Sequence, residues 1–335
     1  MTLGEEARLG SPNLVLRFRE NRLLPVLFGE HDRNLVRIEE ALRIRISSRG
    51  NRVSLSGEKH ALEIGQLAIN ALYQRLEGGL PVDTAEVDAA LRLASVDILA
   101  SPSNSADAAI ITPKRHISPR SSGQVRYIRA LSEAQIVFGI GPAGTGKTYL
   151  AVAKAVSCLM SGRVDRIILS RPAVEAGERL GFLPGDMREK IDPYLAPLYD
   201  ALYDMMPAEQ VANRISSGEI EVAPLAFMRG RTLGHAFIIL DEAQNATRTQ
   251  MKMFLTRLGE RSQMVINGDP SQVDLPERSV SGLMDAVKTL RNIKEIKTIQ
   301  FCDQDIVRHN LVTEVVRAYE ADNRRQTHIE PENGH

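Results

Sequence analysis

The sequence contains no tryptophan, and aromatic residues make up only 4% of its 335 positions. That argues against a broad aromatic platform for stacking single-stranded bases. There is no excess charge, since Lys+Arg and Asp+Glu both number 42. Long-range attraction to nucleic acid is therefore not written into the overall charge, and any such contact must come from a local basic patch. Cysteine is scarce. Cys158 and Cys302 lie far apart in no metal-ligand spacing, which fits two free thiols in a reducing compartment. No apolar run approaches the roughly 20 residues of a membrane helix. The opening Met-Thr-Leu-Gly-Glu-Glu-Ala-Arg lacks the basic-then-apolar pattern of a secretory signal. A cytoplasmic protein without membrane attachment is expected.

What is present is an ordinary globular composition, 43% apolar and 25% charged, on a chain long enough for a large core and a second domain. Four regions follow one another. Residues 1–100 hold a small folded unit, 101–123 are rich in Ser, Pro, Ala and Asn and read as a linker, 124–320 form a larger α/β domain, and 321–335 are a polar tail expected to be disordered.

In the first region Leu14-Val15-Leu16-Arg17-Phe18 alternates as a strand does, residues 23–28 form a short apolar segment, and Leu35, Ile38 and Leu42 recur at helical spacing. Ile44, Ile46, the turn Gly50-Asn51, Val53 and Leu55 predict a hairpin. Helices over 59–76 and 84–99 follow, the second opened by a capping box at Asp83-Thr84-Ala85-Glu86. This order resembles the KH fold of RNA-binding domains, in which a Gly-x-x-Gly turn clamps the nucleic-acid backbone. The matching turn reads Gly29-Glu30-His31-Asp32, with the second Gly missing and two acids present. A module for protein contacts is an equal expectation.

In the larger region strands are predicted at 136–140, 167–169, 237–240 and 264–267. Helices are predicted at 147–160, 247–258 (with Gly259 as its C-cap) and 280–290. Such alternation implies a parallel sheet covered on both faces, with the site at the carboxyl ends of its strands.

The strongest motif is Gly141-Pro142-Ala143-Gly144-Thr145-Gly146-Lys147-Thr148, set between a strand and a helix. Glycines let backbone N–H groups converge on phosphates, and the helix N-terminus adds positive potential. Lys147 is expected on the β- and γ-phosphates of ATP and Thr148 on Mg²⁺. The apolar run 236–240 delivers Asp241-Glu242 at its end, the arrangement known as Walker B. Asp241 is expected to hold Mg²⁺ through water and Glu242 to activate the attacking water. The next strand ends in Gly268-Asp269-Pro270-Ser271-Gln272, which resembles a motif of superfamily-one helicases and points to Gln272 as a γ-phosphate sensor. Gln124 precedes the P-loop by about the interval of the adenine-reading Gln of those helicases. An amide can pair with both the N6 donor and the N7 acceptor of adenine, and no Asn-Lys-x-Asp guanine motif is found.

Further blocks are more specific. Arg171-Pro172-Ala173-Val174-Glu175-Ala176-Gly177-Glu178, Leu180-Gly181-Phe182-Leu183-Pro184-Gly185-Asp186, Lys190-Ile191-Asp192-Pro193-Tyr194, 224–232, Asp241-Glu242-Ala243-Gln244-Asn245 and 254–259 together resemble the PhoH-like family over about residues 117–320. The resemblance implies a RecA-like P-loop ATPase core, links to RNA metabolism and a YbeY-type endoribonuclease partner in rRNA maturation. An RNA helicase or remodeller is one expectation, and an ATP switch that recruits a nuclease is another.

Phosphoryl transfer gains about 10³–10⁵ from an arginine finger, and this chain has one core. A homo-oligomeric ring, a hexamer, is therefore expected, with Arg308 or Arg257 reaching a neighbour's site. Arg171 is expected at the site edge, near RNA or the γ-phosphate. Arg229 and Arg231 flank Gly230, either on RNA phosphates or in an ordinary solvated loop.

Overall fold

Two apolar periodicities build two units. The structure, a computed structural model, describes residues 12–97, 109–172, 187–276, 280–307 and 315. In the N-terminal unit β1 (Asn13–Arg17) leads to α1 (Leu24–Phe28) and α2 (Arg33–Leu42), then to β2 (Arg45–Arg49), β3 (Arg52–Ser56), α3 (Lys59–Glu77) and α4 (Thr84–Asp97). The strands pair antiparallel in the order β1-β3-β2. Alternation turns Leu16, Val53 and Leu55 inward, where Ile38, Ile69, Leu72 and Val87 complete a core. This is the KH-like element order that the residue spacing predicts. The 29–32 turn departs from the Gly-x-x-Gly form. His31 and Asp32 both stand at positive φ, 55° and 60°, a region that residues with a Cβ seldom occupy. The predicted cap of α4 forms, with Asp83 accepting the Glu86 N–H at 2.9 Å.

Of the stretch 101–123 expected as a linker, 101–108 lie outside the described residues and the remainder is folded. β4 (Ile110–Ile111) and β5 (His116–Ile117) form a two-residue hairpin whose Ile110 and Ile117 are buried in the core of the larger unit. α5 (Ser122–Glu133) starts within the expected linker, its first turn capped by the Ser121 hydroxyl. Burial of the two isoleucines outweighs the local polar composition.

The larger unit continues with β6 (Ile136–Ile140), α6 (Lys147–Met160), β7 (Arg166–Arg171), α7 (Met187–Met205), α8 (Ala208–Ser216), β8 (Ile220–Pro224), β9 (Ala236–Leu240), α9 (Arg248–Leu255), β10 (Gln263–Gly268), α10 (Leu283–Leu290) and β11 (Ile296–Gln300). Its six strands are all parallel, in the order β11-β6-β10-β9-β7-β8. Alternate residues feed two cores. Val137, Leu169, Phe237, Ile239 and Val265 face α5 to α8, while Phe138, Ile168, Ile238, Leu240 and Ile266 face α9 and α10. Both faces of the sheet are dry, as βαβ crossovers require. The fold is α/β, with a RecA-like parallel sheet behind a small KH-like unit. The helix expected over 247–258 stops at Leu255, with Thr256 as its cap. Gly259 packs instead on Gly234, where an added Cβ would stand 2.8 Å from the Gly234 nitrogen. Strand β10 lies between β6 and β9, so the loops that follow all three open at one edge.

Candidate active site

Strand β6 runs straight into the 141–148 loop. Gly141 has φ 143, and a Cβ there would meet the Phe301 carbonyl oxygen at 2.6 Å. Gly144 and Gly146 follow at φ 80 and 82. The loop thus delivers its amides to the N-terminus of α6, an anion-binding geometry. The Lys147 ammonium donates to the carbonyl oxygens of Gly141 (2.7 Å) and Pro142 (2.8 Å). Burial pulls its pKa below the ordinary lysine value, against the opposing pull of Asp269, Asp241 and Glu242.

The Thr148 hydroxyl donates to Asp241 Oδ1 at 2.6 Å. Asp241 is buried, and desolvation pushes its carboxyl above the usual range, opposed by that hydrogen bond. A desolvated carboxyl beside a hydroxyl at a helix N-terminus fits a divalent cation, which would restore the charged form. Among the described residues no cluster of three or more His, Cys, Asp or Glu could hold a metal by itself. One carboxylate and one hydroxyl, completed by phosphate oxygens and water, is the set that Mg²⁺ commonly takes.

Glu242 leaves β9 at φ 49, a left-handed conformation that costs about 1–3 kcal/mol where its surroundings enforce it. Its carboxylate accepts from Arg171 Nη2 (2.8 Å) and Gln244 Nε2 (2.6 Å). Gln244 also donates to the Gln272 carbonyl (3.1 Å) and accepts from the Asp269 N–H (3.0 Å). Asp269 in turn accepts from the Ala143 N–H at 3.2 Å and from Gln272 Nε2 at 2.9 Å. The P-loop, the tandem acids and the 268–272 loop therefore form one hydrogen-bonded unit. Gly144, Lys147, Thr148, Asp241, Glu242 and Gln272 line a single cavity of about 260 Å³. Sequence reasoning missed the bridging roles of Gln244 and Asp269. Their only signal was a polar pair, Gln244-Asn245, directly after the acids, and an acid inside the Gly-Asp-x-x-Gln motif.

Other candidates stand elsewhere. Gln124 is buried, its Nε2 donating to the Thr145 carbonyl (3.0 Å) and its Oε1 accepting from the Arg120 N–H (2.7 Å). Each end of the amide makes one bond to the protein and keeps one N–H and one lone pair, the donor and acceptor that adenine reading needs. Arg257 donates to the carbonyls of Met253 and Arg231 and to Thr256. It ties the end of α9 to the loop that carries Arg231. Arg231 forms a two-pronged pair with Glu221 at 2.6 and 2.7 Å and is not free for RNA phosphates. Arg229 is exposed. Arg308, Glu175, Glu178 and the 180–186 block lie outside the described residues.

A phosphate-type loop at a helix N-terminus, tandem acids on a nearby parallel strand and a polar loop between them define a P-loop ATPase fold. The profile of the PhoH-like protein family matches residues 116–320, and the chain belongs to that family. It is 51% identical over 299 residues to the PhoH-like protein of Mycobacterium leprae, spanning 88% of this chain and 84% of the relative. With the PhoH-like protein of Bacillus subtilis identity is 46% over 299 residues, 89% of this chain and 94% of the relative. Alignments of that length exceed the ATPase region and reach into the N-terminal unit. Escherichia coli PhoH is 45% identical over 205 residues, 61% of this chain and 58% of the relative. A solved SWI2/SNF2 ATPase core from Sulfolobus solfataricus, in complex with double-stranded DNA, aligns with 43% of this chain and 31% of its own at 14% identity and TM-score 0.28, too slight a likeness to bear weight. No helix among the described residues is long and apolar enough to cross a membrane.

Proposed function

We propose that this chain is a Mg²⁺-dependent ATPase acting in cytoplasmic RNA metabolism, and that RNA is the polymer its turnover serves. The observation that carries the ATPase reading is the Thr148–Asp241 hydrogen bond, set in one cavity with Lys147, Glu242 and Gln272. The triphosphate lies on the loop amides, and Lys147 turns from the loop carbonyls to the β- and γ-phosphates. Thr148, and Asp241 through water, would hold Mg²⁺, which would neutralise charge at the phosphates. Glu242, held by Arg171 and Gln244, accepts the proton of the water that attacks the γ-phosphorus. The bond from that phosphorus to the β-bridging oxygen breaks, leaving ADP and phosphate. Gln272 contacts the γ-phosphate and, through Asp269 and Gln244, links its departure to the P-loop. In a ring of six copies, Arg308 of each would reach a neighbour's site and act as an arginine finger there.

Support for RNA comes from the open face of the N-terminal sheet. Arg17 stands directly opposite Arg52, and Arg52 opposite Arg49, with Arg45 farther along β2. All four are exposed, and no Asp or Glu shares these strand positions. Like charges in opposed positions destabilise a sheet, a cost that an anionic backbone removes. Replacing Arg17, Arg49 and Arg52 together with Ala should weaken RNA binding at all sequences and reduce its salt slope by about 2–3. Filter binding across a salt series measures both quantities, and an unchanged slope removes RNA from this face.

Gln244→Ala removes the bridge between Glu242 and the 268–272 loop. It should lower kcat by up to about 10²-fold, as misplacement of a catalytic group does, while KM for ATP stays within a few-fold. A wild-type kcat would show that the bridge is dispensable.

A second reading, a switch that recruits a YbeY-type endoribonuclease without moving RNA, rests on the family resemblance. Steady-state ATPase with and without single-stranded and structured RNA at low salt separates the two. RNA-stimulated turnover supports the first, whereas turnover indifferent to RNA with ATP-dependent capture of the nuclease supports the second.

A further inference from the structure

Two cavities meet at the P-loop. The 260 Å³ cavity described above holds the phosphate chemistry. A second, of about 590 Å³, lies on the other side of the same loop and shares Gly144, Gly146 and Tyr149 as walls. Its size falls within the range of about 300–1,000 Å³ typical of small-molecule sites. A nucleotide whose phosphates occupy the first cavity has its nucleoside at the shared wall, and the second cavity is where that half extends.

The walls of the larger cavity come from both units of the protein. Val307, whose N–H donates to the Gly144 carbonyl at 3.0 Å, closes one side. Tyr149 and Asp204 form another, with the phenol donating to the carboxylate at 2.7 Å and Arg115 on its other oxygen. The N-terminal unit supplies Arg75 from α3 and Glu86 from α4. Both side chains are only 14% exposed. Arg75 donates to Ser118 Oγ at 2.7 Å, fastening α3 to the segment ahead of α5. Glu86 faces Arg75 at 3.5 Å and Arg120 at 3.4 Å. Both contacts are at the outer limit of a hydrogen bond, so the carboxylate keeps acceptor capacity toward the cavity. From Arg120 a line of hydrogen bonds runs through Gln124 to Thr145 of the P-loop, at 2.7 and 3.0 Å.

We propose that this cavity is the nucleoside half of the nucleotide site, and that Glu86, carried by the N-terminal unit, accepts a hydrogen bond from the ribose hydroxyls. The inference rests on the ATP reading above and extends it. The N-terminal unit then completes the nucleotide site, and its fit against the ATPase core depends on whether a nucleoside is present. Gln124 lines the same cavity and joins Arg120 to the P-loop, with one N–H and one lone pair of its amide left for the base.

The test uses full-length protein and three probes: ATP, 2′,3′-dideoxy-ATP and inorganic tripolyphosphate, each with Mg²⁺, titrated by calorimetry. The wild type should prefer ATP to the dideoxy nucleotide by about tenfold or more, the worth of a hydrogen bond to a charged group. Glu86→Ala and the isosteric Glu86→Gln should lose most of that preference and leave tripolyphosphate affinity unchanged. In the wild type, amide exchange over residues 75–90 should slow with ATP and not with tripolyphosphate, a readout that needs no variant. A wild-type preference for ATP that survives both Glu86 variants, with exchange over 75–90 indifferent to ATP, overturns the proposal while leaving the ATP reading intact. A wild type that binds neither ATP nor tripolyphosphate overturns the ATP reading itself.

Discussion

Glu242→Gln should bind ATP about as well as the wild type and turn it over about 10²–10⁴-fold more slowly, the usual contribution of a positioned general base. The variant keeps the size of the side chain and its acceptor oxygen toward Arg171. It loses the charge and the capacity to take a proton from water. Gln carries the same Cβ as Glu, so the left-handed backbone at 242 should be no more strained and the loop should keep its course. Binding measured by calorimetry and turnover by phosphate release separate the two quantities. A kcat within a few-fold of the wild type would remove Glu242 as the base.

Lys147→Ala is expected to act on binding. In the structure the ammonium bonds two loop carbonyls, and those bonds are exchanged for charge-assisted contacts to the β- and γ-phosphates. Each such contact is worth about 1.5–3 kcal/mol, so losing both should weaken ATP binding by about 10²-fold or more. Folding should survive, because burial already disfavours the charged lysine. Equilibrium titration with ATP reads the loss directly, and circular dichroism shows that the fold persists. Wild-type affinity in this variant would mean that the 141–148 loop is not where the phosphates sit.

The site was legible where chemistry depends on short segments. The loop 141–148, the acids after β9 and the 268–272 turn are each continuous, and parallel strands bring their carboxyl ends to one edge whatever the rest of the chain does. The N-terminal unit was legible for a similar reason, because the spacing of Leu35, Ile38 and Leu42 and the Gly50-Asn51 turn fix its elements one at a time. What could not be read depends on contacts across the chain. Gln244 reaches Glu242 and Asp269 across a turn whose left-handed residue 242 has no short-range signature in the sequence. The contacts of Glu86 with Arg120 and of Arg75 with Ser118 join positions 34 and 43 apart, and no periodicity links them. The 110–117 hairpin has strands of two residues, too short for an alternation to show. Gly259 follows a predicted helix as a C-cap would, yet its small size serves a backbone contact with Gly234.

The N-terminal unit and the ATPase core meet beside the P-loop rather than at a distance from it. ATP occupancy and the placement of a basic sheet face then belong to one structural system. If RNA lies on that face, nucleotide state and RNA grip are coupled, and the coupling acts equally in both directions.

The most direct measurement is release of inorganic phosphate from Mg²⁺-ATP by the purified full-length protein, run beside Lys147→Ala prepared identically. Turnover by the wild type that falls to background in the variant is the predicted result. Equal release by both proteins, or none by the wild type with or without RNA, would contradict the claim that this loop and the acids beside it hydrolyse ATP.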